Sequence, residues 1–480
     1  MRLARLSSPS SRKMFAITRL ALVERAREHR AILILIALAI VVRIGLMYLY
    51  FPALLLAFDS PRYARVGGAP MFGDFWMPAG YPFFLCLLRS VTVELWVTTA
   101  VQHALGVATG VFLYIALIRL PVRHWVACIP AAAVFFSGDQ LYLEHSPMAD
   151  FFLTFCAAGG FLAAVVWLTK RESWWWLGLA SAVFAYAALV RSVGVALLAV
   201  LAFVAVLAGR NGPRDRIVAI CFAVTPAVLI FGLYFAVFWL SGGRYLGISD
   251  MRGWNLYSRV APFADCSKFT PPKGTEVLCE ARAPSERPGP FGYVWDLQSV
   301  PRRTFELGPE TGRKLEKFAY AVIRHQPADY ARAVLLDLAR FVEPSLDGNR
   351  PLAGQPREII SFGWRDAEVE SMVVRAMASD YRGTEVTVRA QTFLGAYQQY
   401  VSIRCWWLVP LVFSTLVGVW CARENLRFAI LLYGLGALGL FALPVLTLSY
   451  DFRYGIPPTT FLFVAGILGA VACRDGLAKS

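Results

Sequence analysis

The chain has 480 residues, of which 58% are hydrophobic and only 16% are charged. A soluble protein of this length needs more charge to cover its surface, so the composition predicts a polytopic membrane protein. The formal net charge of +15 does not indicate nucleic-acid binding, because the short cytoplasmic loops of membrane proteins collect Lys and Arg.

The chain begins with a basic tail, residues 1–30, which is too long and too charged for the polar part of a signal peptide. Ten apolar stretches follow, and their lengths predict an all-α membrane protein with about ten transmembrane helices. They lie at about 31–50, 96–118, 125–136, 151–168, 174–190, 193–207, 217–240, 402–420, 428–446 and 458–472. The basic loops between them all fall on the side of the tail. The positive-inside rule therefore predicts a multi-pass plasma-membrane protein with a cytoplasmic N-terminus.

The order of the spans divides the chain into modules. Residues 31–240 are expected to form an N-terminal transmembrane module of about seven spans, with a first outer loop at 51–95. The polar segment 241–401 is expected outside the membrane on the far side from the tail. Residues 402–480 carry the C-terminal transmembrane helices.

Helical spacing of apolar residues is also found in the outer segments. It predicts two helices over 312–342 that are separated at Pro327, and one amphipathic helix over 368–400. A shorter amphipathic helix at 76–89 is expected on the outer membrane surface. These helices are expected to lie over the membrane and to help cover a cavity.

Two of the nine cysteines, Cys266 and Cys279, lie in the long outer segment, and the other seven lie in or beside apolar stretches. An oxidising compartment favours a disulfide between these two residues. Such a bond would close a short loop and contribute about 3 kcal/mol in the chain-entropy account. Two free thiols are the alternative.

Polar residues collect at the end of the spans that is predicted to face outward. Five groups contribute: the Asp59 loop, residues 139–150, Arg191, the segment 241–401 and residues 449–454. A transporter tends to place its charged residues near mid-membrane on repeated halves, whereas these acids collect at one interface and the sequence has no evident internal repeat. The arrangement favours an enzyme that acts on a lipid headgroup. A lipid-linked-sugar flippase or transporter is the alternative.

Several short motifs are similar to those of one enzyme family. They are Arg43 in the first span, FDSPRY at 58–63 with PAGYPFFL at 78–85, YLEHSPMADFFL at 142–153, ALVRSVG at 188–194, HQPADY at 325–330 and DFRYGIPP at 451–458. Together they resemble the GT-C superfamily of polyprenyl-phosphate-sugar-dependent glycosyltransferases, in the branch of protein O-mannosyltransferases and aminoarabinose transferases. The likeness covers residues 31–210 and, beyond them, only the last two motifs.

The resemblance implies a GT-C-like helix bundle that transfers a sugar, with inversion, from a polyprenyl monophosphate to an acceptor hydroxyl on the outer face. Asp59 matches the family's first-loop acid and is the expected general base. Arginines are expected to hold the departing phosphate. The residues expected to bind substrate are Arg62, Tyr63, Glu144, Asp150, Arg191, Arg453 and Tyr454. The expected partners are the lipid-linked donor, membrane lipids and a cell-envelope glycan, lipid or protein as acceptor, with no nucleic acid.

Alternatives to these roles stay open. Asp59, Glu144 and Asp150 are also compatible with solvated loop acids, and Arg191 with a cation that reaches toward lipid headgroups. Asp451 is compatible with a carboxylate that only pairs with Arg453. Arg43 either reaches outward in the same way or pairs with an acid inside the bundle. A relative that binds lipid-linked sugar without transferring it is a further alternative. Ser60 stands where many relatives have a second acid, so no metal site is assigned and a divalent cation stays open as cofactor.

Overall fold

The structure is a computed structural model that describes residues 28–56, 59–66, 76–170, 173–209, 212–241, 247–249, 251–342, 361–363 and 367–477. Almost all regular structure in these residues is helical, which confirms the all-α class. The strands β1 (Tyr50–Phe51) and β2 (Thr387–Val388) have two residues each and pair antiparallel. They connect the end of the first helix to the long segment that precedes the last apolar helices.

The helices of the N-terminal half are α1 (Arg30–Leu49), α2 (Asp59–Val66), α3 (Gly80–Arg89), α4 (Leu95–Leu117), α5 (His124–Phe136), α6 (Gly138–His145), α7 (Ala149–Thr169), α8 (Trp174–Val190), α9 (Val195–Ala208) and α10 (Pro213–Leu240). Those that follow are α11 (Met251–Val260), α12 (Pro290–Trp295), α13 (Val300–Thr304), α14 (Pro309–His325), α15 (Pro327–Arg340), α16 (Ala367–Met377), α17 (Gln391–Tyr400), α18 (Leu408–Cys421), α19 (Glu424–Thr447) and α20 (Ile456–Leu477).

Six apolar helices of the described residues are long enough to cross a bilayer, as expected of a multi-pass membrane protein. A seventh crossing results if α5 and α6, which meet at a bend of 50°, act as one span. The helices α8, α9 and α18 coincide with predicted spans but have at most 17 residues. A helix of that length is about 26 Å long, shorter than the roughly 30 Å of hydrocarbon. The predicted count of ten spans is therefore not confirmed.

The centre of the apolar bundle is α7, whose most apolar 18-residue window is 83% buried inside the protein. It packs against α4 and α8. The corresponding windows of α1 and α10 are only 22% and 17% buried, so these helices present apolar side chains outward, as membrane spans at the edge of a bundle do. Near the C-terminus α18 and α20 approach closely where Gly418 meets Gly469, because a Cβ on Gly418 would lie 2.3 Å from the Gly469 Cα.

The residues after α10 form a second, smaller core outside the apolar bundle. The amphipathic helices α11 and α14 pack together there, with Trp254, Tyr257 and Phe318 among the buried side chains. A disulfide joins Cys266 to Cys279, and both residues pack against this core. A short chain segment without long helices is thus tied to the helical core.

Helix predictions for the outer segments are partly right. The helices α14 and α15 separate at Pro327 as predicted, because proline supplies no N–H to continue the first helix. The single helix predicted over 368–400 is wrong, since α16 and α17 are separated by a stretch that contains β2. Gly383 in this stretch has a φ of 63°, which favours glycine, and the β-branched residues after it favour extended structure. The surface helix predicted at 76–89 begins at Gly80.

Candidate functional site

The first turn of α2 places Asp59 at a helix N-terminus, where a carboxylate is favoured by the helix dipole. The next residue, Ser60, is fully buried. Its hydroxyl accepts a hydrogen bond from the Leu56 N–H at 3.0 Å and lies 3.5 Å from the Pro147 carbonyl oxygen, to which it donates. Ser60 therefore fixes the start of α2 against the loop before α7. Ser60 thus has a structural role in this chain.

Arg453 connects Asp59 to the C-terminal motif. It lies in a 3₁₀ turn, Phe452–Gly455, and its backbone N–H donates to the Asp451 side chain, which caps the turn. The Arg453 Nε donates to Asp451 Oδ2 at 3.1 Å, and Nη1 of the same guanidinium donates to Asp59 Oδ2. One arginine thus bridges two carboxylates that are 392 positions apart in the chain.

Arg191 forms a second ion pair beside the first. It follows the last residue of α8, and its Nη1 lies 2.5 Å from Asp150 Oδ2 in the first turn of α7. The ring of Tyr454 lies against both arginines, with its centroid 5.0 Å from the Arg191 Cζ and 5.4 Å from the Arg453 Cζ. These distances are typical of cation–π contacts. Tyr454 therefore joins the two ion pairs into one group.

We call Asp59, Asp150, Arg191, Asp451 and Arg453 the arginine–acid cluster. The structure brings together four residues assigned from the resemblance, and Asp451 is the member to which no site role was assigned. Its signal in the sequence is the Asp-x-Arg spacing that lets the acid cap the turn and hold the guanidinium. With all groups ionised, three carboxylates and two guanidinium groups give a net charge of −1. The side chains of Asp59, Arg453 and Arg191 are 23%, 21% and 19% exposed, so a ligand can reach them.

Electrostatics keep Asp59 charged in this arrangement. Burial raises the pKa of the Asp59 carboxyl, but Arg453 and then Arg191 and Arg62 lower it by more, and the resulting pKa is below the ordinary value. Tyr63, on the same helix, behaves in the opposite way, because burial and the nearby Asp59 carboxylate raise the pKa of its hydroxyl. Asp59 is therefore ionised and Tyr63 protonated at neutral pH.

A cleft with about 560 Å³ of empty volume, open to solvent, adjoins the cluster. We call it the cluster cleft. Its polar side is formed by Asp150, Arg191 and Tyr454, and its walls are mostly apolar. The apolar lining residues are Leu153, Val193, Leu440, Pro444, Leu448, Pro457 and Pro458. A cation at one side of an apolar groove fits an amphiphile with an anionic headgroup.

Arg62 lies one helical turn after Asp59 and packs against Trp76, with its Cζ 5.3 Å from the ring centroid. Arg302 approaches the same ring at 5.3 Å. Trp76 also contacts Trp254 of the second core, with ring centroids 5.7 Å apart. Arg62 thus joins the start of α2 to the segment after α10, at the margin of the cluster.

Glu144, also assigned from the resemblance, lies in a different place. It is fully buried, and Arg43 donates to both of its oxygens at 2.9 Å. His103 Nδ1 lies 3.0 Å from Oε2, and Gln140 Nε2 donates to Oε1 at 3.2 Å. Of the two alternatives for Arg43, the structure has the pairing with an acid inside the bundle. Glu144 is therefore neither a solvated loop acid nor a wall of the cluster cleft.

The chain between Glu144 and Asp150 explains their separation. Glu144 belongs to the last turn of α6, whereas Asp150 belongs to the first turn of α7. The intervening residues Ser146 and Pro147 redirect the chain, and Gln102 donates to the carbonyl oxygens of Glu144 and Ser146 at 2.8 and 2.9 Å. The two acids consequently point to different partners.

Among the residues that the structure describes, no group of three or more His, Cys, Asp or Glu side chains lies close enough to hold a metal ion. The carboxylates of the cluster are instead held by arginine. Each guanidinium group of the cluster thus has at least one carboxylate partner.

Comparisons with known proteins found no matching family model, no similar curated protein and no similar solved structure. The resemblance of the short motifs to GT-C enzymes therefore stays a prediction. The functional assignment depends on the residues of the cluster and on the shape of the cleft beside it.

Proposed function

We propose that this protein is a membrane glycosyltransferase that moves a sugar, with inversion, from a polyprenyl-phosphate donor to an acceptor hydroxyl. The observation that carries the proposal is the cluster cleft, in which Arg191 meets apolar walls beside the paired Asp59 and Arg453. A phosphate that carries a long apolar chain needs both features in one place. A soluble sugar nucleotide would not need the apolar walls.

The proposed donor position follows from charge and shape. The lipid phosphate lies between Arg191 and Arg453, which both contact Tyr454, and charge-assisted hydrogen bonds to it are stronger than neutral ones. The prenyl chain follows the apolar wall formed by α7, α19 and the start of α20.

The proposed reaction is a single displacement at the anomeric carbon. The acceptor oxygen attacks that carbon while Asp59 takes the hydroxyl proton, and the bond from the carbon to the phosphate oxygen breaks. The electron pair leaves with polyprenyl phosphate, whose added negative charge is stabilised by the two arginines. One attack from the opposite face inverts the anomeric centre.

The pairing of Asp59 with Arg453 gives the reaction an order. While Arg453 donates to Asp59 the pKa of that carboxyl is held low, and a carboxylate in this state is a weak base. A donor phosphate that accepts hydrogen bonds from Arg453 competes with Asp59 for the same guanidinium. Donor binding therefore raises the basicity of Asp59 just before the acceptor is deprotonated.

Transport is the second candidate, because Arg43, Glu144 and His103 form an ionisable group buried among apolar helices. Transporters place such groups on ion or substrate pathways. Against this, both Glu144 oxygens accept hydrogen bonds from neighbouring side chains. The group therefore has the properties of a satisfied structural network.

One assay separates transfer, transport and binding alone. Purified protein in vesicles is given radiolabelled polyprenyl-phosphate sugars of several kinds together with cell-envelope extracts as acceptors. Transfer predicts release of free polyprenyl phosphate and label on an acceptor. Movement of intact donor between leaflets, or saturable donor binding without any cleavage under all conditions, contradicts the enzymatic proposal.

A further inference from the structure

A second cleft lies on the other side of the 3₁₀ turn Phe452–Gly455 and has about 670 Å³ of empty volume. We call it the α5–α18 cleft. Its walls are formed by apolar side chains of α5, α18 and α20, among them Val134, Leu408 and Phe463. Its polar side contains Asp139, Gln140, Arg340 and Arg404. It therefore repeats the amphipathic character of the cluster cleft with different residues.

The turn that carries Arg453 separates the two clefts. Phe452, Gly455 and Ile456 line the α5–α18 cleft, whereas Tyr454 and Pro457 line the cluster cleft. Arg453 itself, between Phe452 and Tyr454, donates to Asp59. Two amphiphiles bound in the two clefts would thus lie on opposite sides of the turn that carries Arg453, the partner of the proposed general base.

The charges around the α5–α18 cleft favour an anion. Arg404 Nε donates to Asp139 Oδ2 at 2.7 Å, so this pair is neutral. Arg340 Nη1 lies 2.8 Å from Asp337 Oδ1, but Arg259 also pairs with Asp337, at 2.5 Å. Among the described residues, these three guanidinium groups and two carboxylates carry a net charge of +1. Arg340, whose side chain is 43% exposed, is the most accessible of the three arginines.

Gln140 adds an independent observation. The residue is only 2% exposed, and its Nε2 donates to Glu144. Because a carboxylate only accepts, this contact assigns the nitrogen of the amide, and Oε1 is the atom that faces elsewhere. None of the described residues donates to this buried oxygen. Buried acceptors without a partner are rare, and Gln140 is among the residues that line the cleft. A hydroxyl or amine of a ligand reaches Oε1 when this side chain turns toward the cleft.

Resting on the proposed function, we propose that the α5–α18 cleft binds the acceptor, and that the acceptor is an anionic lipid with a hydroxyl group. Its acidic headgroup pairs with Arg340, a hydroxyl or amine donates to Gln140 Oε1, and its acyl chain follows the apolar wall of α5 and α20. Among the acceptors left open by the sequence, an apolar cleft beside a cation favours a lipid over a protein or a glycan. Neither of those needs an apolar channel beside the cation.

Lipid binding is tested first, without any donor. Native mass spectrometry of the detergent-solubilised full chain measures retention of phosphatidylglycerol, which is anionic and bears hydroxyls, and of zwitterionic phosphatidylcholine. Arg340→Gln should weaken phosphatidylglycerol binding about tenfold or more, the usual effect of losing one charge-assisted contact. Ala133→Phe, which fills the cleft from α5, should abolish it. Arg303→Gln, an exposed arginine of α13 that lines neither cleft, is the matched control and should bind normally.

Donor turnover is then measured in the same variants. We expect phosphatidylglycerol to receive label from the active donor, and Arg340→Gln and Ala133→Phe to lose this transfer while they still hydrolyse the donor in water.

Equal binding of both lipids by all variants overturns the site. Selective lipid binding with unchanged transfer to a soluble acceptor overturns the acceptor role. Selective binding without cleavage of any donor shows that the proposed enzymatic function fails although the lipid site exists. Thermal unfolding of each variant identifies losses that are due to misfolding.

Discussion

Two groups of arginine and carboxylate side chains in this protein have similar members and different surroundings. We call the first group, formed by Arg43, His103, Gln140 and Glu144, the buried network. In it the side chains of Arg43 and Glu144 are 4% and 0% exposed. In the arginine–acid cluster Asp59 and Arg453 are 23% and 21% exposed, and their neighbours Asp150 and Arg191 line the cluster cleft. Both groups include residues of the motifs that resemble GT-C enzymes, but only the second is exposed enough to exchange a protein partner for a ligand.

The comparison shows that an ion pair near a membrane helix is not by itself a functional site. A buried pair loses much of its Coulomb gain to desolvation and becomes costly when one partner is removed. A partly exposed pair is weaker, and a phosphate can compete for its guanidinium. We therefore expect changes in the buried network to affect stability and changes in the cluster to affect turnover.

The largest effect is expected for Asp59→Asn. The amide keeps the shape but cannot take the acceptor proton, so turnover should fall by about 10²–10⁴-fold, while donor binding survives because the phosphate is held by arginine. Turnover is measured as release of polyprenyl phosphate, with Asp296→Asn, at an exposed position, as the matched control. Near-normal transfer by a folded Asp59→Asn variant would place the base elsewhere, and Asp150 would be the next residue to test.

Arg43→Met should destabilise the protein by about 3–5 kcal/mol, because it leaves the Glu144 charge buried without its main partner. The free energy of unfolding in mixed micelles measures this effect. Changing both residues, as Arg43→Met with Glu144→Leu, should restore a large part of the stability, since no charge remains buried. A single variant that unfolds like the unchanged protein would contradict the structural role and return Glu144 to the functional candidates.

Sequence motifs were sufficient to assign four of the five cluster members, because the short motifs at 58–63, 142–153, 188–194 and 451–458 each contribute one residue. The Asp451–Arg453 spacing indicates a local pair, but the long-range partners of these residues are not predictable from the sequence. Arg453 pairs with Asp59 across most of the chain, and Glu144 and Asp150 diverge although six positions separate them. Such pairings depend on where helices end and turn.

Prediction of the fold from the sequence had the same limit as prediction of the site. Apolar stretches predicted the positions of the membrane helices, because each stretch must be helical in hydrocarbon. Whether α8, α9 and α18 cross the bilayer depends on helix length and tilt, which hydropathy does not give. The amphipathic pattern over 368–400 continued through a turn at Gly383, so spacing alone could not show the break.

Arg191→Gln tests the cluster through a smaller expected effect, on phosphate binding. It removes one cation from the proposed phosphate position, and binding of polyprenyl phosphate without sugar should weaken by about 1.5–3 kcal/mol, or about 10–150-fold. Fluorescent polyprenyl phosphate titrated into nanodiscs measures this, with Arg303→Gln as the control. Because Asp150 loses its partner in this variant, Arg191→Lys is measured too. If the lysine variant regains stability but both variants bind normally, Arg191 does not hold the phosphate.

The smallest effect should come from Gly106→Ala, which changes the buried network without removing any charge. A Cβ on Gly106 would lie 1.9 Å from Glu144 Oε1, so the carboxylate must shift away from Arg43. We expect a loss of about 1–3 kcal/mol in the free energy of unfolding, the usual cost of overpacking. Gly45→Ala is the matched control, because its Cβ would meet no atom within 4 Å, and alanine favours a helix over glycine.

The same pair of variants distinguishes the role of the buried network from that of the arginine–acid cluster. Donor hydrolysis in water, without a lipid acceptor, should be unchanged in the folded fraction of Gly106→Ala, because Glu144 contacts neither Asp59 nor the lining of the cluster cleft. A fall in turnover without a fall in stability would mean that Glu144 is coupled to the reaction, and the buried network would then belong to the site. Equal stability of both glycine variants would instead mean that the bundle has room around Glu144.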